Sequence, residues 1–380
     1  MQTTIPGFSR RSFLTGAAAA IAATALRPIS ARAAAPGAAP SKKLGFAIVG
    51  IGTLSKGQIL PGIMQAKYCK PVAIVTGHPD QNKALAGQYG IDSKNIYTYD
   101  NYDDISKNPD IDVVYIVLPN DMHPEYTIRA AKAGKHVLCE KPMATKVADC
   151  EAMIAACKTA GKQLMIAYRQ QYEPLTRQCI QVARDQNTMG KLLEITAEAG
   201  FAVGARSTPD NYWRLNKKQA GGGSIMDMGI YALQAIRYLS GEEPISVSAV
   251  SFTPPNNPQF SQVEQTMNVQ LAFASGMLGS ILTSYGFGCN RARANGERAV
   301  LDLEPLQQYT GNQAYVTQRR QRQQLTYTPV HHFANEMDEF ALAITNNKPI
   351  MTPGEEGLRD MKILLAALES ASSGKTIKLA

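Results

Sequence analysis

A glycine-rich turn that follows a short apolar run is the feature that most constrains the fold of this chain. Residues 46–49 are all apolar, and Gly50 and Gly52 come directly after them, with Ser55 where a third glycine often stands. In this pattern the first glycine allows a tight turn, and the second lets a pyrophosphate approach the backbone at a helix N-terminus. An ordinary glycine turn shares the pattern. The strand before it and the helix after it favour a dinucleotide-binding unit.

Short apolar runs alternate with helix-like segments through the first half of the chain. Uninterrupted apolar runs of this length are typical of parallel strands that are buried on both faces. They occur at residues 46–49, 72–75, 113–118, 136–139 and 164–167, with helical patterns at 58–66, 80–89, 124–133 and 147–160. The alternation predicts an α/β Rossmann fold with a doubly wound parallel sheet.

The pattern changes after about residue 192, where longer strand-like segments begin. They cover residues 194–201, 245–252, 264–273 and 277–285, with one helix at 224–239 and two closing helices at 332–345 and 355–372. Ala274-Ser275-Gly276 is a hairpin signal between two of the strands. We therefore predict a dinucleotide-binding domain over 44–168. The second domain, over 169–380, is predicted to be α+β with a large, mostly antiparallel, open-faced sheet.

The N-terminal residues predict export. Residues 9–14 read Ser-Arg-Arg-Ser-Phe-Leu, and an alanine-rich stretch follows at 16–26. This pattern predicts a twin-arginine signal peptide over 1–35, cleaved near Ala33 or Ala35, with the Tat export machinery as a partner and the periplasm as destination. A membrane anchor is the alternative, but the apolar stretch is about half of the roughly 20 residues that a spanning helix needs. We expect no membrane anchor, and an extended arm over 36–43.

Charge and cysteine usage argue against several other classes of protein. The net charge is +8, but four arginines and no acid precede residue 41, so the remainder carries only +4. The basic cluster at 319–322 is interpreted as a solvated loop, and no nucleic-acid partner is expected. The six cysteines form no Cys-x-x-Cys pair, and the histidines lack ligand-like spacing. We expect neither a metal site nor a structural disulfide.

Polar residues at strand ends are the candidate ligands of a cofactor. Residues 118–123 and 139–143 follow two predicted strands, and ligands of open α/β sheets bind at the carboxyl ends of strands. Lys141, whose bond to Pro142 is a candidate cis peptide, is either a cation at a hydride-transfer site or an exposed turn lysine. The second strand ends without a carboxylate, at Thr76 and Gly77, and Lys83 lies in the next helix. Such an end accepts a 2′-phosphate and favours NADP over NAD.

Asp227 and Tyr231 are the candidate reactive groups of the second half. They are four residues apart and so share one face of the predicted helix. A phenol titrates near pH 10, and a neighbouring ammonium group would favour its phenolate and so its use in proton transfer. From spacing alone, Tyr231 fits a core tyrosine equally well.

Several segments resemble the Gfo/Idh/MocA family, and within it the glucose-fructose oxidoreductase branch. They are residues 59–62, 134–144, 212–215, 220–231 and 239–244, and the likeness extends over nearly the whole chain after the leader. The resemblance implies a periplasmic sugar oxidoreductase with tightly bound NADP. It would oxidise an aldose to its lactone and reduce a second sugar, fructose or an aldose, to an alditol by ping-pong hydride transfer. A homodimer or homotetramer is implied as well.

The resemblance also implies roles for individual residues. Lys141 and Tyr231 would be the catalytic pair, Asp227 would position the sugar, and Arg169 and Tyr172 would line the sugar pocket. Cofactor contacts are predicted for Gly50, Gly52, Thr53, Leu54, Thr76, Gly77, Lys83, Leu118, Pro119, Asn120, His123, Glu140, Lys141, Arg169, Trp213 and Arg214.

Departures from the branch lie at residues 202–210 and 287–324, and at Gln81, where a lysine is expected. An NAD-dependent glycosidase on the same fold and a non-enzymatic sugar-binding protein are the alternatives.

Overall fold

The computed structural model describes residues 39–379. The predicted signal peptide and the first three residues of the predicted arm, 36–38, lie outside these residues. The described chain contains two β-sheets with helices packed against them, and these residues cluster as one compact unit. Among the described residues, no helix combines the length and apolar character that crossing a membrane would require.

The first sheet has six parallel strands in the order β3-β2-β1-β4-β5-β6. The strands are β1 (Leu44–Val49), β2 (Cys69–Val75), β3 (Ile96–Tyr97), β4 (Val113–Ile116), β5 (His136–Glu140) and β6 (Leu164–Ala167). The helices are α1 (Leu60–Ile63), α2 (Pro79–Gln88), α3 (His123–Lys132) and α4 (Val147–Thr159). This arrangement confirms the predicted doubly wound sheet. The two-residue strand β3 is too short to give an apolar run, and the sequence did not predict it.

The second sheet has nine strands in the order β14-β13-β12-β11-β7-β10-β9-β8-β15. They are β7 (Leu192–Gly200), β8 (Pro244–Phe252), β9 (Thr266–Phe273), β10 (Leu278–Ser284), β11 (Cys289–Gly296), β12 (Ala299–Leu303), β13 (Ala314–Gln318), β14 (Gln321–Gln324) and β15 (Ile377–Lys378). Only β7 and β10 pair in parallel, and every other described pair is antiparallel. The mostly antiparallel sheet is therefore confirmed, including the predicted hairpin between β9 and β10.

The remaining helices connect the two sheets. They are α5 (Pro174–Arg184), α6 (Lys217–Ala220), α7 (Ile230–Ser240), α8 (His332–Thr345) and α9 (Gly354–Ser373). Helix α7 packs on β7, while α9 packs on both β8 and α4 and so joins the two sheets. Helix α8 contacts α1, and its buried side chains share a hydrophobic cluster with β1. As a result, the carboxyl ends of the parallel strands face the second sheet across one cleft.

Candidate active site

One cleft of about 1500 Å³ brings together most of the predicted site residues from both halves of the chain. Those that line it are Gly50, Gly52, Thr53, Leu54, Thr76, Gly77, Leu118, Pro119, Asn120, Glu140, Lys141, Arg169, Trp213, Arg214, Asp227 and Tyr231. Three predicted residues, Lys83, His123 and Tyr172, are not part of its lining. Groups of three or more side chains able to hold a metal ion are absent from the described residues.

The glycine turn at the end of β1 is closed by its own residues. Gly50 has a φ of +92°, and a Cβ there would stand 2.2 Å from the carbonyl oxygen of Val117. The buried hydroxyl of Ser55 donates to the carbonyl of Gly50 at 2.5 Å. A Cβ at Gly52 would meet none of the described atoms within 4 Å. The turn therefore leaves the backbone at Gly52 open to a ligand. Ser55 stabilises the turn through its hydrogen bond, besides being small enough to pack there.

At the end of β2, the described part of the cleft wall carries no carboxylate. The described residues that line it there are Thr76, Gly77, His78 and, across from them, Tyr99, and none carries a carboxylate. The Thr76 hydroxyl oxygen accepts from the backbone N–H of His78 at 3.1 Å and from the Asn82 side chain at 3.0 Å. These two bonds hold Thr76 in place at the strand end.

Lys83 is exposed on α2 and does not reach this wall. Its side chain is directed to solvent and not to the strand end, so its predicted contact with a cofactor stays a prediction.

His123 lies beneath the cleft and ties two of its loops together. Its ring nitrogens are 2.9 Å from the carbonyl oxygen of Leu118 and 3.0 Å from that of Pro142. Burial lowers the pKa of His123 to about 4, so the neutral ring donates to one carbonyl at a time. The imidazole is wholly buried between the loops and is not part of the cleft lining, so its predicted contact with a cofactor stays a prediction. The Lys141–Pro142 bond is cis.

Tyr172 also lies away from the cleft. Residues Arg169–Tyr172 form a 3-10 turn after β6. The Tyr172 ring is buried, and its hydroxyl is 2.8 Å from that of Thr352. The phenol faces the interior and is not part of the cleft lining, so its predicted sugar contact stays a prediction.

Lys141, Asp227 and Tyr231 meet at the centre of the cleft. The Lys141 Nζ donates to the Asp227 backbone carbonyl at 2.7 Å and to its Oδ1 at 3.2 Å. The same ammonium group stands 4.4 Å from the centre of the Tyr231 ring. Burial acts to lower the pKa of Lys141, but Tyr231, Asp227 and Glu140 outweigh it and raise the pKa. The lysine is therefore a cation in contact with both the phenol and the carboxylate.

Asp227 is held by two further groups. Arg214 Nε is 3.2 Å from Oδ2, and the Tyr285 hydroxyl donates to the same oxygen at 3.1 Å. Burial alone would raise the pKa of Asp227, but Arg214 and Lys141 lower it to about 2. The carboxylate is therefore ionised at neutral pH. Trp213 stacks on the Arg214 guanidinium, whose carbon lies 4.4 Å from the ring centre.

The segment that carries Asp227 and Tyr231 begins at a buried carboxylate. Glu264 accepts the backbone N–H of Gly223 at 2.9 and 3.0 Å and that of Ile225 at 3.0 Å. A π-helical turn, Ile225–Gly229, follows and continues into α7. Such turns are frequent at functional sites. The anchored start directs both Asp227 and Tyr231 into the cleft.

Arg169 also lies beside Tyr231, and both of its Nη atoms are hydrogen-bonded within the protein. Its guanidinium carbon is 5.3 Å from the centre of the Tyr231 ring. Its Nη atoms donate to the carbonyls of Gln307 at 2.5 Å and Gln308 at 3.4 Å, and lie 3.0 Å from His332 Nδ1. Burial, followed by the charge of Arg169, lowers the pKa of His332 to about 3. The neutral imidazole therefore accepts from the arginine.

Three residues of this site escaped the sequence analysis. Tyr285 follows β10 directly, so a search of strand ends would have found it. Glu264 gave no signal, because the sequence does not show which helix start its carboxylate contacts. Tyr309 lies in a connection without predicted elements, yet it lines the cleft beside Arg169.

Comparisons with known proteins agree with this geometry. A model described as "Oxidoreductase family, NAD-binding Rossmann fold" (GFO_IDH_MocA) matches residues 44–168, and its "C-terminal alpha/beta domain" matches residues 185–379. The crystal structure of an aldose-aldose oxidoreductase from Caulobacter crescentus, complexed with glycerol, is 39% identical with a TM-score of 0.85. The match covers 89% of this chain and 100% of that one.

Curated relatives are more distant. A D-xylose 1-dehydrogenase [NADP(+)] of Haloarcula marismortui is 25% identical, over 88% of this chain and 92% of the relative. A D-glucoside 3-dehydrogenase of Escherichia coli is 27% identical, over 89% of this chain and 98% of the relative. All three similarities extend over nearly the full length of the proteins compared.

Proposed function

The chain belongs to the Gfo/Idh/MocA oxidoreductase family, and on that premise we propose that it is a periplasmic oxidoreductase acting on two sugars in turn. It oxidises an aldose to its lactone and then reduces a second sugar, fructose or another aldose, to an alditol. The observation that carries this proposal is the contact of Lys141 with both Asp227 and Tyr231 in the cleft that also holds the glycine turn. The similarity to an aldose-aldose oxidoreductase supports it.

The cleft fits a nicotinamide dinucleotide, for which we propose NADP. When bound, the nicotinamide accepts a hydride from one sugar and returns it to the next. The open backbone at Gly52 would receive the pyrophosphate. Thr76, Gly77 and His78 would surround the 2′-phosphate, since this wall supplies donors and no carboxylate. Leu118, Pro119 and Asn120 would form the floor of the site.

The three central residues would divide the proton chemistry among them. Tyr231 takes the proton of the sugar C1 hydroxyl as the C1 hydrogen leaves with its electron pair and the carbonyl of the lactone forms. Lys141 stabilises the phenolate that this step needs, because its ammonium group lies against the ring. Asp227 fixes the ammonium group through two hydrogen bonds and is itself fixed by Arg214 and Tyr285. The second sugar then receives the proton from Tyr231.

If the cofactor stays bound, each turnover needs no free nicotinamide nucleotide. A twin-arginine leader supports export in the folded state, and we propose that NADP travels with the protein and remains bound. The lactone leaves before the second sugar binds, which gives ping-pong kinetics. A homodimer or homotetramer is proposed on the family resemblance.

The test is to purify the protein from cells and record its absorbance before and after single sugars are added. We expect a bound dinucleotide whose reduced-nicotinamide band rises with an aldose and falls with a second sugar. Protein that is isolated without nucleotide and needs a steady external supply would contradict the retained cofactor. Cleavage of a chromogenic glycoside without net redox change would instead support the glycosidase alternative.

A further inference from the structure

Tyr309 presents an uncovered aromatic surface in the catalytic cleft. It belongs to the connection between β12 and β13, and we call residues 304–312 of this connection the cap loop. The side chain lines the cleft but remains 42% exposed. One part of its ring is covered by the Arg169 guanidinium, whose carbon is 4.6 Å from the ring centre, and Phe333 lies beside it at 5.8 Å. The rest of the ring is open to a ligand.

The cap loop is fastened at several points, so this surface is formed in advance. The side-chain oxygen of Asn290 accepts the backbone N–H groups of Leu306 and Gln307 at 2.9 and 3.0 Å. Asn312 accepts the N–H of Gln308 at 2.8 Å and donates to its carbonyl at 3.1 Å. Arg169 adds its bonds to the carbonyls of Gln307 and Gln308. A surface fixed in this way loses little conformational freedom when a ligand binds.

The Tyr309 ring also lies next to the reacting groups. One guanidinium group, that of Arg169, separates it from the ring of Tyr231. Burial raises the pKa of the Tyr309 phenol, Tyr231 and Glu140 raise it further, and Arg169 and Lys141 act to lower it. Tyr231 and Tyr309 therefore contact the same guanidinium group and line the same cleft.

We propose that Tyr309 is a specificity-determining residue that binds sugars in their ring form by stacking on the C–H face of the ring. This inference rests on the proposed function and deepens it. A lactone forms only from the cyclic hemiacetal, whereas an alditol forms from the open-chain carbonyl compound. An aromatic surface packs against a closed ring and gains little from a flexible chain. Tyr309 therefore favours the sugar that is oxidised over the sugar that is reduced.

The first test measures binding without turnover in the cofactor-loaded protein. The probes are 1,5-anhydro-D-glucitol, a closed ring without an anomeric hydroxyl, and D-glucitol, its open-chain counterpart. For Tyr309→Ala, we expect calorimetry to show a dissociation constant about three- to tenfold higher for the ring probe and an unchanged one for D-glucitol. Tyr309→Phe keeps the ring and is expected to bind both probes like the native protein.

A matched control is Tyr315→Ala. Tyr315 also stacks on an arginine, Arg322 at 4.0 Å, but it does not line the cleft. We expect this variant to bind both probes normally. Thermal unfolding of each variant verifies that it is folded, and Tyr309→Leu replaces Tyr309→Ala should the latter prove unstable.

The second test compares the two half-reactions through the absorbance of the bound nicotinamide. In Tyr309→Ala, the KM for the aldose that is oxidised to its lactone should rise about three- to tenfold. The KM for the sugar that is reduced to an alditol should stay constant. Equal effects on both half-reactions, no effect on either, an equal loss in Tyr309→Phe, or loss of bound cofactor would each overturn the proposal. Native protein that binds neither probe and is reduced by no aldose would instead refute the proposed function, and this inference with it.

Discussion

Two cationic groups lie close to the Tyr231 ring. Lys141 Nζ is 4.4 Å and the Arg169 guanidinium carbon 5.3 Å from the ring centre. For Tyr231→Phe, the ring and its stacking remain while the proton acceptor is lost. We expect the rate of nicotinamide reduction by an aldose to fall by about 10²–10⁴-fold, with bound cofactor and unfolding temperature unchanged. Stopped-flow absorbance measures the rate. Turnover at the native rate would contradict the role of Tyr231.

The ionised carboxylate of Asp227 makes the stability of the folded protein depend on pH in acid. Its pKa of about 2 in the folded protein lies below the value of roughly 3.9 expected in an unfolded chain. The folded state therefore gains about 2–3 kcal/mol from this ion at neutral pH, and loses it as the pH falls from about 4 to 2. For Asp227→Asn, which cannot ionise, we expect lower stability at pH 7 and a weaker dependence on pH in this window. Urea unfolding at pH 7 and at pH 3 measures both. Identical acid dependence in the variant and the native protein would argue against this assignment.

The start of the segment that carries the reactive groups depends on a glycine. A Cβ at Gly223 would stand 2.1 Å from the backbone carbonyl oxygen of Glu264. For Gly223→Ala, we expect a loss of about 2 kcal/mol or more in the free energy of unfolding, together with slower sugar oxidation. Gly87→Ala on α2 is the matched control, because it meets none of the described atoms within 4 Å. Because Gly87 lies in the last turn of α2, this change should leave the free energy of unfolding unchanged or raise it by at most about 1 kcal/mol. Chemical denaturation compares the two.

The strands that the sequence predicted are those whose burial depends on large side chains. The first sheet is buried on both faces, so β1 and β4 read as unbroken apolar runs. Strand β11 fills its buried positions with Ala292 and Ala294 between arginines, and β14 is exposed along its length. Neither strand carries an apolar pattern, although backbone pairing places both in the sheet. These two strands form because they pair with neighbouring strands, and the register of that pairing cannot be read from their own residues.

The candidate site could be predicted only in part, because it joins distant segments. Lys141 and Asp227 are 86 residues apart, and the family resemblance, not spacing, related them before the structure did. The glycine turn and the strand ends were predicted by topology alone. Three predicted residues, Lys83, His123 and Tyr172, do not line the cleft. The direction of a side chain depends on packing that the sequence does not record.

At the scale of the whole molecule, the cleft is formed by both sheets together. Gly50 and Gly52 follow β1 of the first sheet, while Tyr285 follows β10 and Cys289 begins β11 of the second. A ligand that binds only the folded protein stabilises it by mass action. We therefore expect removal of the nucleotide to lower the unfolding temperature, and added NADP to restore it more fully than NAD. Differential scanning calorimetry tests this. Equal recovery with NAD would contradict the proposed preference.

The imidazole of His123 has a consequence for the cofactor site as a whole. Because its two nitrogens contact the carbonyls of Leu118 and Pro142, the width of one aromatic heterocycle sets the separation of two loops that belong to neighbouring strands. That separation exists before any dinucleotide arrives. The two parts of such a ligand therefore contact loops whose separation is already fixed. A shorter side chain at this position would change that separation without contacting the ligand.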